Sequence, residues 1–296
     1  MSFLQIMILG VIQGLTELLP VSSSAHVIVA ERLMGQDPAS PEMTFLLVML
    51  HTGTMFSVLI YFWPRWRRLL APGGMTADSA GKLAKGHFLK MIILATACTG
   101  TLGLTLKIII EQVILEGVLG YPQGEVEQLF RNLPLIGVAL LAGGLLIIAA
   151  GIWEKAEKAS GLNVVSSVLV GTIQGLCLPF RGFSRSGATI STALFCGMRR
   201  GLAEDFSFAL AVVLTPPVIL VELRRLLKAS GLHAITGTSL TALTLPGVLG
   251  MFGSFLAGLV ALWWLSSWLE RGRWRYFGYY CVCFSGVVFL SHWLGL

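Results

Sequence analysis

Long apolar stretches with almost no charge dominate the pattern of hydrophobic and polar positions. A helix needs about 20 apolar residues to cross a hydrocarbon core of about 30 Å. Six stretches meet this length: Met43–Trp63, Phe88–Leu106, Leu133–Trp153, Phe206–Leu223, Leu245–Leu269 and Tyr276–Leu294. They carry no charged residue except Lys90 and Glu222, both close to an end. The pattern predicts an all-α polytopic membrane protein with six transmembrane helices.

Two further apolar stretches are broken in the middle. Phe3–Leu33 is interrupted by Pro20 and a serine cluster, and Val164–Met198 is interrupted at Arg181–Ser186. Each half is too short to cross a bilayer, and irregular backbone at membrane depth is tolerated only inside protein or beside a cavity. We therefore predict two re-entrant helical hairpins, at residues 3–34 and 163–198.

The two broken stretches also resemble each other. Gly10–Leu15 reads GVIQGL, Gly171–Leu176 reads GTIQGL, and a Leu-Pro pair and a serine-rich turn follow each. The chain thus divides into residues 1–160 and 161–296, each a hairpin followed by three spans. Three spans invert the second half relative to the first, so we predict an inverted-topology repeat with a site near the midplane.

Composition and charge agree with a membrane location. Only 12% of the residues are charged, against about 25% in soluble domains. The net charge is +6, but the sequence has no run of basic residues interleaved with polar residues. A nucleic-acid-binding surface requires such a run. If the first hairpin opens outward, 13 of the 21 basic residues fall in segments 64–90, 153–162, 199–205 and 270–275, and 6 fall on the outer side. This bias favours a cytoplasmic location for those segments.

Polar side chains inside the broken stretches are the candidate functional residues, because ionisable groups in a membrane are costly and mark functional sites. Gln13 and Glu17 share one helix face, since they are four residues apart. The full set is Gln13, Glu17, Ser22, Ser23 and His26 in the first hairpin, and Ser184, Arg185, Ser186, Gly187 and Thr189 in the second.

These residue types fit phosphoryl transfer. Arginine pairs bidentately with phosphate oxygens and stabilises their charge in the transition state. A serine with a histidine three residues away can act as nucleophile and base, as Ser23 and His26 could. A carboxylate such as Glu17 can hold a divalent cation against a diphosphate. The combination favours hydrolysis of a lipid phosphate.

The stretch Gln13–His26, QGLTELLPVSSSAH, resembles the first signature of the bacterial undecaprenyl-diphosphate phosphatases, the bacitracin-resistance family. Gly182–Thr189, GFSRSGAT, resembles the second signature of that family. The His51–Thr54 and Phe206–Ala211 stretches and Arg199 are also similar. The resemblance covers most of the chain, with two departures: Arg181 stands where the family usually has Pro, and Ala25 stands where Gly is common.

The resemblance implies an activity and roles for the site residues. The family releases inorganic phosphate from undecaprenyl diphosphate, which recycles the lipid carrier of cell-wall polymer synthesis and confers bacitracin resistance. Gln13 and Glu17 would lie at the metal–diphosphate end, with Glu17 a ligand of Mg²⁺ or Ca²⁺. Ser23 would be nucleophile or water-positioning hydroxyl, with His26 as base or, alternatively, as nucleophile. Arg185 would clamp the phosphates.

The resemblance also implies roles for the remaining candidate residues. It further implies where in the membrane the site lies. Ser184, Ser186 and Thr189 would assist Arg185, and Ser22 and Gly187 would contact substrate. The site would face the outer side of the bacterial cytoplasmic membrane. A second copy of the chain is a further candidate partner. The alternative function is a lipid-phosphate flippase or transporter, because inverted repeats and broken helices also build transporters.

Overall fold

Helices account for the regular structure throughout the described chain. The computed structural model describes the backbone of residues 1–36, 41–70, 86–118, 132–153, 161–237 and 240–295. Across these residues there are ten α-helices and no strand, which confirms the predicted all-α class. They are α1 (Phe3–Leu18), α2 (Ser23–Leu33), α3 (Pro41–Leu70), α4 (His87–Ile108), α5 (Leu133–Trp153), α6 (Val164–Cys177), α7 (Arg185–Phe195), α8 (Arg200–Gly237), α9 (Leu240–Glu270) and α10 (Trp274–Trp293). A π-helical segment, Ile109–Val118, continues α4.

Five helical segments in the described chain are long and apolar enough to cross a membrane. They are Met43–Leu70, His87–Gly117, Leu133–Trp153, Arg200–Val221 and Leu245–Glu270, so the protein is a multi-pass membrane protein. The sixth predicted span is the 20-residue helix α10, which is not among them. Its tyrosines, its serines and His292 lower its mean hydropathy, so a crossing by α10 stays a prediction. Parts of the predicted cytoplasmic segments 64–90 and 153–162 lie outside the described residues.

Both broken stretches form two short helices, as their sequence predicts. In the first, α1 ends at Leu18 and α2 begins at Ser23; in the second, α6 ends at Cys177 and α7 begins at Arg185. The residues just before α2 and α7 are Ser22 and Ser184, with φ of 67° and 54°. Left-handed backbone at a residue with a Cβ costs about 1–3 kcal/mol and is concentrated at functional sites.

Each half of the chain packs its first helix on a long helix of the other half. Helix α1 lies on α9, and α6 lies on α4. Glycines permit both close approaches: a Cβ at Gly14 would lie 2.5 Å from the Ser254 carbonyl oxygen, and one at Gly175 would lie 2.9 Å from the Thr99 carbonyl oxygen. These two packing contacts bring the break between α1 and α2 close to the break between α6 and α7.

A buried ionic cluster joins the beginning of α8 to α3 and α9. Arg65 Nη1 donates to Glu204 Oε2 at 2.9 Å and lies 3.4 Å from Asp205 Oδ1. Ser266 Oγ donates to the other Glu204 oxygen at 2.5 Å. The side chain of Glu204 is only 1% exposed, so these bonds compensate for the loss of its hydration. The sequence analysis did not single out this cluster.

Candidate active site

The first hairpin places Glu17 and Ser23 in contact. Glu17 lies in the last turn of α1, where Gln13 Nε2 donates to its Oε2 at 3.2 Å. Leu19 is extended, and Pro20 cannot continue the helix. After the left-handed turn at Ser22, α2 starts at Ser23, whose Oγ donates to Glu17 Oε2 at 2.5 Å. The break therefore aims the first residue of α2 back at the end of α1.

The second hairpin delivers Arg185 to the same carboxylate. Ser184 caps α7, accepting a hydrogen bond from the Gly187 backbone N–H at 3.3 Å. Arg185 is the first residue of α7, and its Nη2 donates to Glu17 Oε1 at 2.8 Å. Ser23 and Arg185 thus occupy the same position in their respective helices, and both bind Glu17.

Glu17 is the centre of the cluster. Its side chain is 15% exposed and that of Arg185 is 21% exposed, so the pair is largely withdrawn from solvent without being sealed. Helices α2 and α7 both begin here, and the partial positive charge of helix N-termini favours an anion. A guanidinium, two helix starts and a hydroxyl therefore surround one carboxylate, a setting suited to a phosphate group.

His51 of α3 completes the cluster. Its Nε2 lies 3.7 Å from Glu17 Oε2, and its Nδ1 is 2.8 Å from the Leu47 carbonyl oxygen. The sequence analysis did not place His51 among the candidate site residues. Its position in the middle of an apolar stretch does indicate a functional residue. The identity of its partner, however, depends on how α3 packs on α1.

His26 has partners other than Ser23. Its Nδ1 lies 2.8 Å from the Ser22 carbonyl oxygen, and its Nε2 lies 2.7 Å from the hydroxyl of Tyr280 in α10. The ring also stacks on Phe284, with centroids 3.8 Å apart. Since both ring nitrogens are engaged, the structure does not pair His26 with Ser23 as the sequence expected. The hydroxyl of Ser23 has Glu17 as its acceptor instead.

The other predicted site residues fix the geometry of the breaks. Ser186 Oγ donates to the Leu19 carbonyl oxygen at 3.4 Å and so ties one hairpin to the other. Thr189 Oγ1 donates to the Arg185 carbonyl oxygen at 2.8 Å and lies 2.5 Å from Ser207 Oγ. A Cβ at Gly187 would lie 2.7 Å from Ile147 Cδ1, so α7 starts tightly against α5. Direct contact of these residues and of Ser22 with substrate stays a prediction.

A cleft opens beside the Glu17–Arg185 pair. It is partly open to the surface and lies between α1, α3, α7 and α8. Its lining residues are Glu17, Leu18, Thr54, Met55, Val58, Arg185, Ala211, Val212 and Thr215. The lining combines the charged side chains of Glu17 and Arg185 and two threonines with apolar side chains, as expected for a ligand with a charged head and an apolar tail.

The donor set near Glu17 fits a divalent cation that is shared with a substrate. In the described part of the chain, no three His, Cys, Asp or Glu side chains cluster to form a closed metal site. Glu17 and His51 are nevertheless close together, with Gln13 and Ser23 beside them. Catalytic Mg²⁺ is commonly held by one or two carboxylates, with phosphate oxygens and water completing the shell. The residues present therefore fit an ion that arrives with a diphosphate.

The fold and the cluster define a class of protein: a multi-pass membrane protein with a carboxylate–guanidinium cluster where two broken helix pairs meet. Comparison with known families then identifies the group. Residues 6–287 match the model of the family described as "Bacitracin resistance protein BacA". The chain belongs to this family.

Relatives match the chain over nearly its whole length. It is 54% identical over 291 residues to "Undecaprenyl-diphosphatase 2" of Acinetobacter baylyi, with 97% of each chain covered. It is 35% identical over 303 residues to "Undecaprenyl-diphosphatase" of Desulfosudis oleivorans, with 100% of each covered. It is 31% identical to the protein of the same name from Korarchaeum cryptofilum, covering 98% of this chain and 99% of that one.

Proposed function

We propose that the protein is an undecaprenyl-diphosphate phosphatase, which hydrolyses undecaprenyl diphosphate to undecaprenyl phosphate and inorganic phosphate. The names of its relatives and the near-complete alignments support this activity. The family name supports a link to bacitracin resistance. The structural observation that carries the proposal is the convergence of Ser23 and Arg185, from different hairpins, on Glu17 at 2.5 and 2.8 Å.

Arg185 binds the diphosphate in this account. Its guanidinium donates to Glu17 through Nη2, and it retains further N–H donors for phosphate oxygens. An arginine fork matches phosphate bidentately and stabilises the charge that develops on the transferred group. The apolar cleft wall of Val58, Ala211 and Val212 would accommodate the first part of the prenyl chain.

Ser23 is the nucleophile or the group that positions water. As nucleophile, its Oγ forms a bond to the terminal phosphorus, the bridging P–O bond breaks, and undecaprenyl phosphate leaves. The Ser23 proton passes to Glu17, which already accepts a hydrogen bond from that hydroxyl. Water then cleaves the phosphoserine to give inorganic phosphate. The competing account, with His26 as base or nucleophile, requires His26 to leave the Ser22 and Tyr280 oxygens that it contacts here.

A divalent cation at Glu17, Mg²⁺ or Ca²⁺, would neutralise charge on the diphosphate and polarise its oxygens. Glu17 supplies the carboxylate for this ion. Gln13 supports that carboxylate through its 3.2 Å hydrogen bond, which leaves the amide oxygen of Gln13 available on the same helix face.

The layout proposed for the fold is an inverted repeat of residues 1–160 and 161–296, with six spans and two re-entrant hairpins. Three observations support it: the packing of α1 on α9 and of α6 on α4, the glycine contacts at Gly14 and Gly175, and the left-handed serines that precede α2 and α7. The charge bias of the sequence supports a site facing outward from a bacterial cytoplasmic membrane. A homodimer stays a prediction.

Release of inorganic phosphate from undecaprenyl diphosphate by purified protein in detergent tests the proposed activity. We expect turnover that requires Mg²⁺ or Ca²⁺ and that falls below detection in Arg185→Ala. Arg273→Ala is the matched control, because Arg273 is exposed at the start of α10, outside the site. No release by folded wild-type protein with any divalent cation would contradict the proposal and would favour the flippase alternative.

A further inference from the structure

We infer that His51 is a nitrogen ligand, together with Glu17, of the divalent cation at the site; this inference rests on the proposed function. The starting point is the tautomer of His51. A backbone carbonyl only accepts hydrogen bonds, so the 2.8 Å contact from Nδ1 to the Leu47 oxygen places the proton on Nδ1. When the ring is neutral, Nε2 carries a lone pair, and this is the nitrogen that faces Glu17.

The distance between the two facing atoms suits a shared ion. His51 Nε2 and Glu17 Oε2 are 3.7 Å apart, which is longer than the about 2.7–3.2 Å of an N–H···O hydrogen bond. Two lone pairs that face each other repel unless a cation lies between them. An ion about 2.1 Å from both atoms would subtend an angle of about 120° at this 3.7 Å separation, which is close to tetrahedral coordination. Octahedral angles of about 90° would require the two atoms to approach to about 3.0 Å.

The surroundings of His51 match those of known metal-binding histidines. Such residues usually donate their second ring N–H to a carbonyl or carboxylate, which fixes the ring and increases its basicity. The Leu47 carbonyl oxygen fills this role. On the other side, Oε2 has two lone-pair sites and accepts from Gln13 at 3.2 Å and from Ser23 at 2.5 Å, so an ion would replace the longer bond from Gln13 while the bond from Ser23 remains.

An ion between these atoms would be accessible to substrate. The His51 side chain is 32% exposed and that of Glu17 is 15% exposed. Thr54, about one helical turn after His51, lines the cleft beside Glu17. Diphosphate oxygens and water can therefore complete the coordination shell from the cleft.

A nitrogen ligand changes which cation the site prefers. Imidazole best suits Zn²⁺, Cu²⁺, Fe²⁺ and Ni²⁺, whereas Ca²⁺, Mg²⁺ and Mn²⁺ favour oxygen ligands. Of these last three ions, Mn²⁺ is the transition metal and accepts an imidazole nitrogen most readily. The site should therefore bind Mn²⁺ more tightly than Ca²⁺, and His51 should determine that preference. His51→Gln, which offers an amide in place of the imidazole, should weaken Mn²⁺ binding by at least about 10- to 100-fold, the loss found when even a residue that only orients a metal ligand is changed.

Pulsed electron paramagnetic resonance of Mn²⁺ bound to the full-length protein tests the inference directly. In wild-type protein we expect nitrogen modulation of the electron spin echo that changes frequency when the histidines carry ¹⁵N. The modulation should disappear in His51→Gln and persist in His292→Gln, a histidine exposed at the end of α10. The isotope comparison uses the wild type alone, so the absence of a histidine nitrogen would overturn the inference even if His51→Gln did not fold.

Two kinds of result would overturn the inference, and phosphate release measured in parallel separates them. Bound Mn²⁺ without a histidine nitrogen signal, in protein that releases phosphate, would remove His51 from the shell and leave the proposed function intact. The same holds if the signal survives in His51→Gln. No Mn²⁺ binding, with release unaffected by chelator, would instead overturn both the inference and the proposed cation dependence.

Discussion

Arg185 Nη2 lies 2.8 Å from Glu17 Oε1, which joins the first residue of α7 to the last turn of α1. These two residues are 168 positions apart in the sequence, so the contact exists only because both helix pairs break at the same place. Removing either partner leaves the other as an uncompensated charge in a largely enclosed site. The pair therefore links the folding of the two hairpins to the chemistry proposed for them.

Arg185→Lys should retain little activity although it preserves the charge. Lysine lacks the planar fork that matches two phosphate oxygens at once. We expect a fall in kcat/KM of about 10²-fold, the order seen when one preorganised donor is lost. The measurement is steady-state phosphate release. Near wild-type activity would show that a point charge suffices and that bidentate binding plays no part.

Glu17→Gln keeps the shape of the side chain and removes its charge. Ser23 would lose its negatively charged acceptor and Arg185 its counter-ion. We expect phosphate release to fall by at least about 10²-fold, because one change weakens both the nucleophile and the binding of the cation. Gln13→Ala is the comparison variant, since it removes one 3.2 Å hydrogen bond and should cost far less. Equal losses in the two variants would contradict the central place given to Glu17.

Tyr280→Phe tests whether His26 must be held in place. The substitution removes the hydroxyl 2.7 Å from His26 Nε2 and retains the aromatic ring. Leaving a buried polar group without a partner costs about 1–3 kcal/mol. We expect a lower midpoint of thermal unfolding together with reduced turnover if His26 takes part in the reaction. Loss of stability with unchanged turnover per folded molecule would assign His26 a structural role.

Arg65→Ala should destabilise the protein without altering its chemistry. It would leave Glu204 buried with only Ser266 as partner, and breaking a buried ion pair costs about 3–5 kcal/mol. Arg68→Ala is the control, because Arg68 is exposed and donates to its own helix at the Pro64 carbonyl oxygen. Unfolding monitored in one detergent should separate the two variants clearly. Equal unfolding midpoints would show that the cluster contributes nothing to stability.

Gly14→Ala should loosen the contact between α1 and α9. The new methyl group would lie 2.5 Å from the Ser254 carbonyl oxygen, so the helices must separate and Glu17, three residues further along α1, must shift. Overpacking of this kind costs about 1–3 kcal/mol. We expect both stability and phosphate release to fall, whereas Gly201→Ala, which has open space around it, should preserve both. Unchanged stability and phosphate release in Gly14→Ala would mean that the close approach of α1 to α9 is not required.

Much of the fold and of the site could be predicted because a membrane makes polar residues conspicuous. Glu17, Ser23 and Arg185 lie in the breaks of two otherwise apolar stretches, and the structure brings these three together. The ends of α1 and α5 also follow from composition, and Pro20 accounts for the end of α1. Helices α3 and α8 instead continue past the predicted spans, to Leu70 and Gly237. The local sequence thus predicted the helices and the three main residues of the cluster.

The contacts that the sequence did not predict are those between helices far apart in the chain. Ser23 and His26 were expected to pair because they are three residues apart, but His26 folds back on the Ser22 carbonyl oxygen and reaches Tyr280, 254 positions away. The partner of His51 depends on how α3 packs beside α1. Glu204 was overlooked because it lies at the end of an apolar span, where charges are common. Tertiary packing determines such pairings, and the spacing of residues along the sequence does not predict them.

Rates of phosphate release by Ser23→Ala, Arg185→Ala and the double variant test the central claim most directly. If both residues act on one diphosphate around Glu17, each single substitution should abolish nearly all activity. The double variant should then be scarcely slower than either single variant, as for catalytic groups that act as a unit. Substantial phosphate release by Ser23→Ala, or losses that simply multiply in the double variant, would contradict a single catalytic cluster built from the two hairpins.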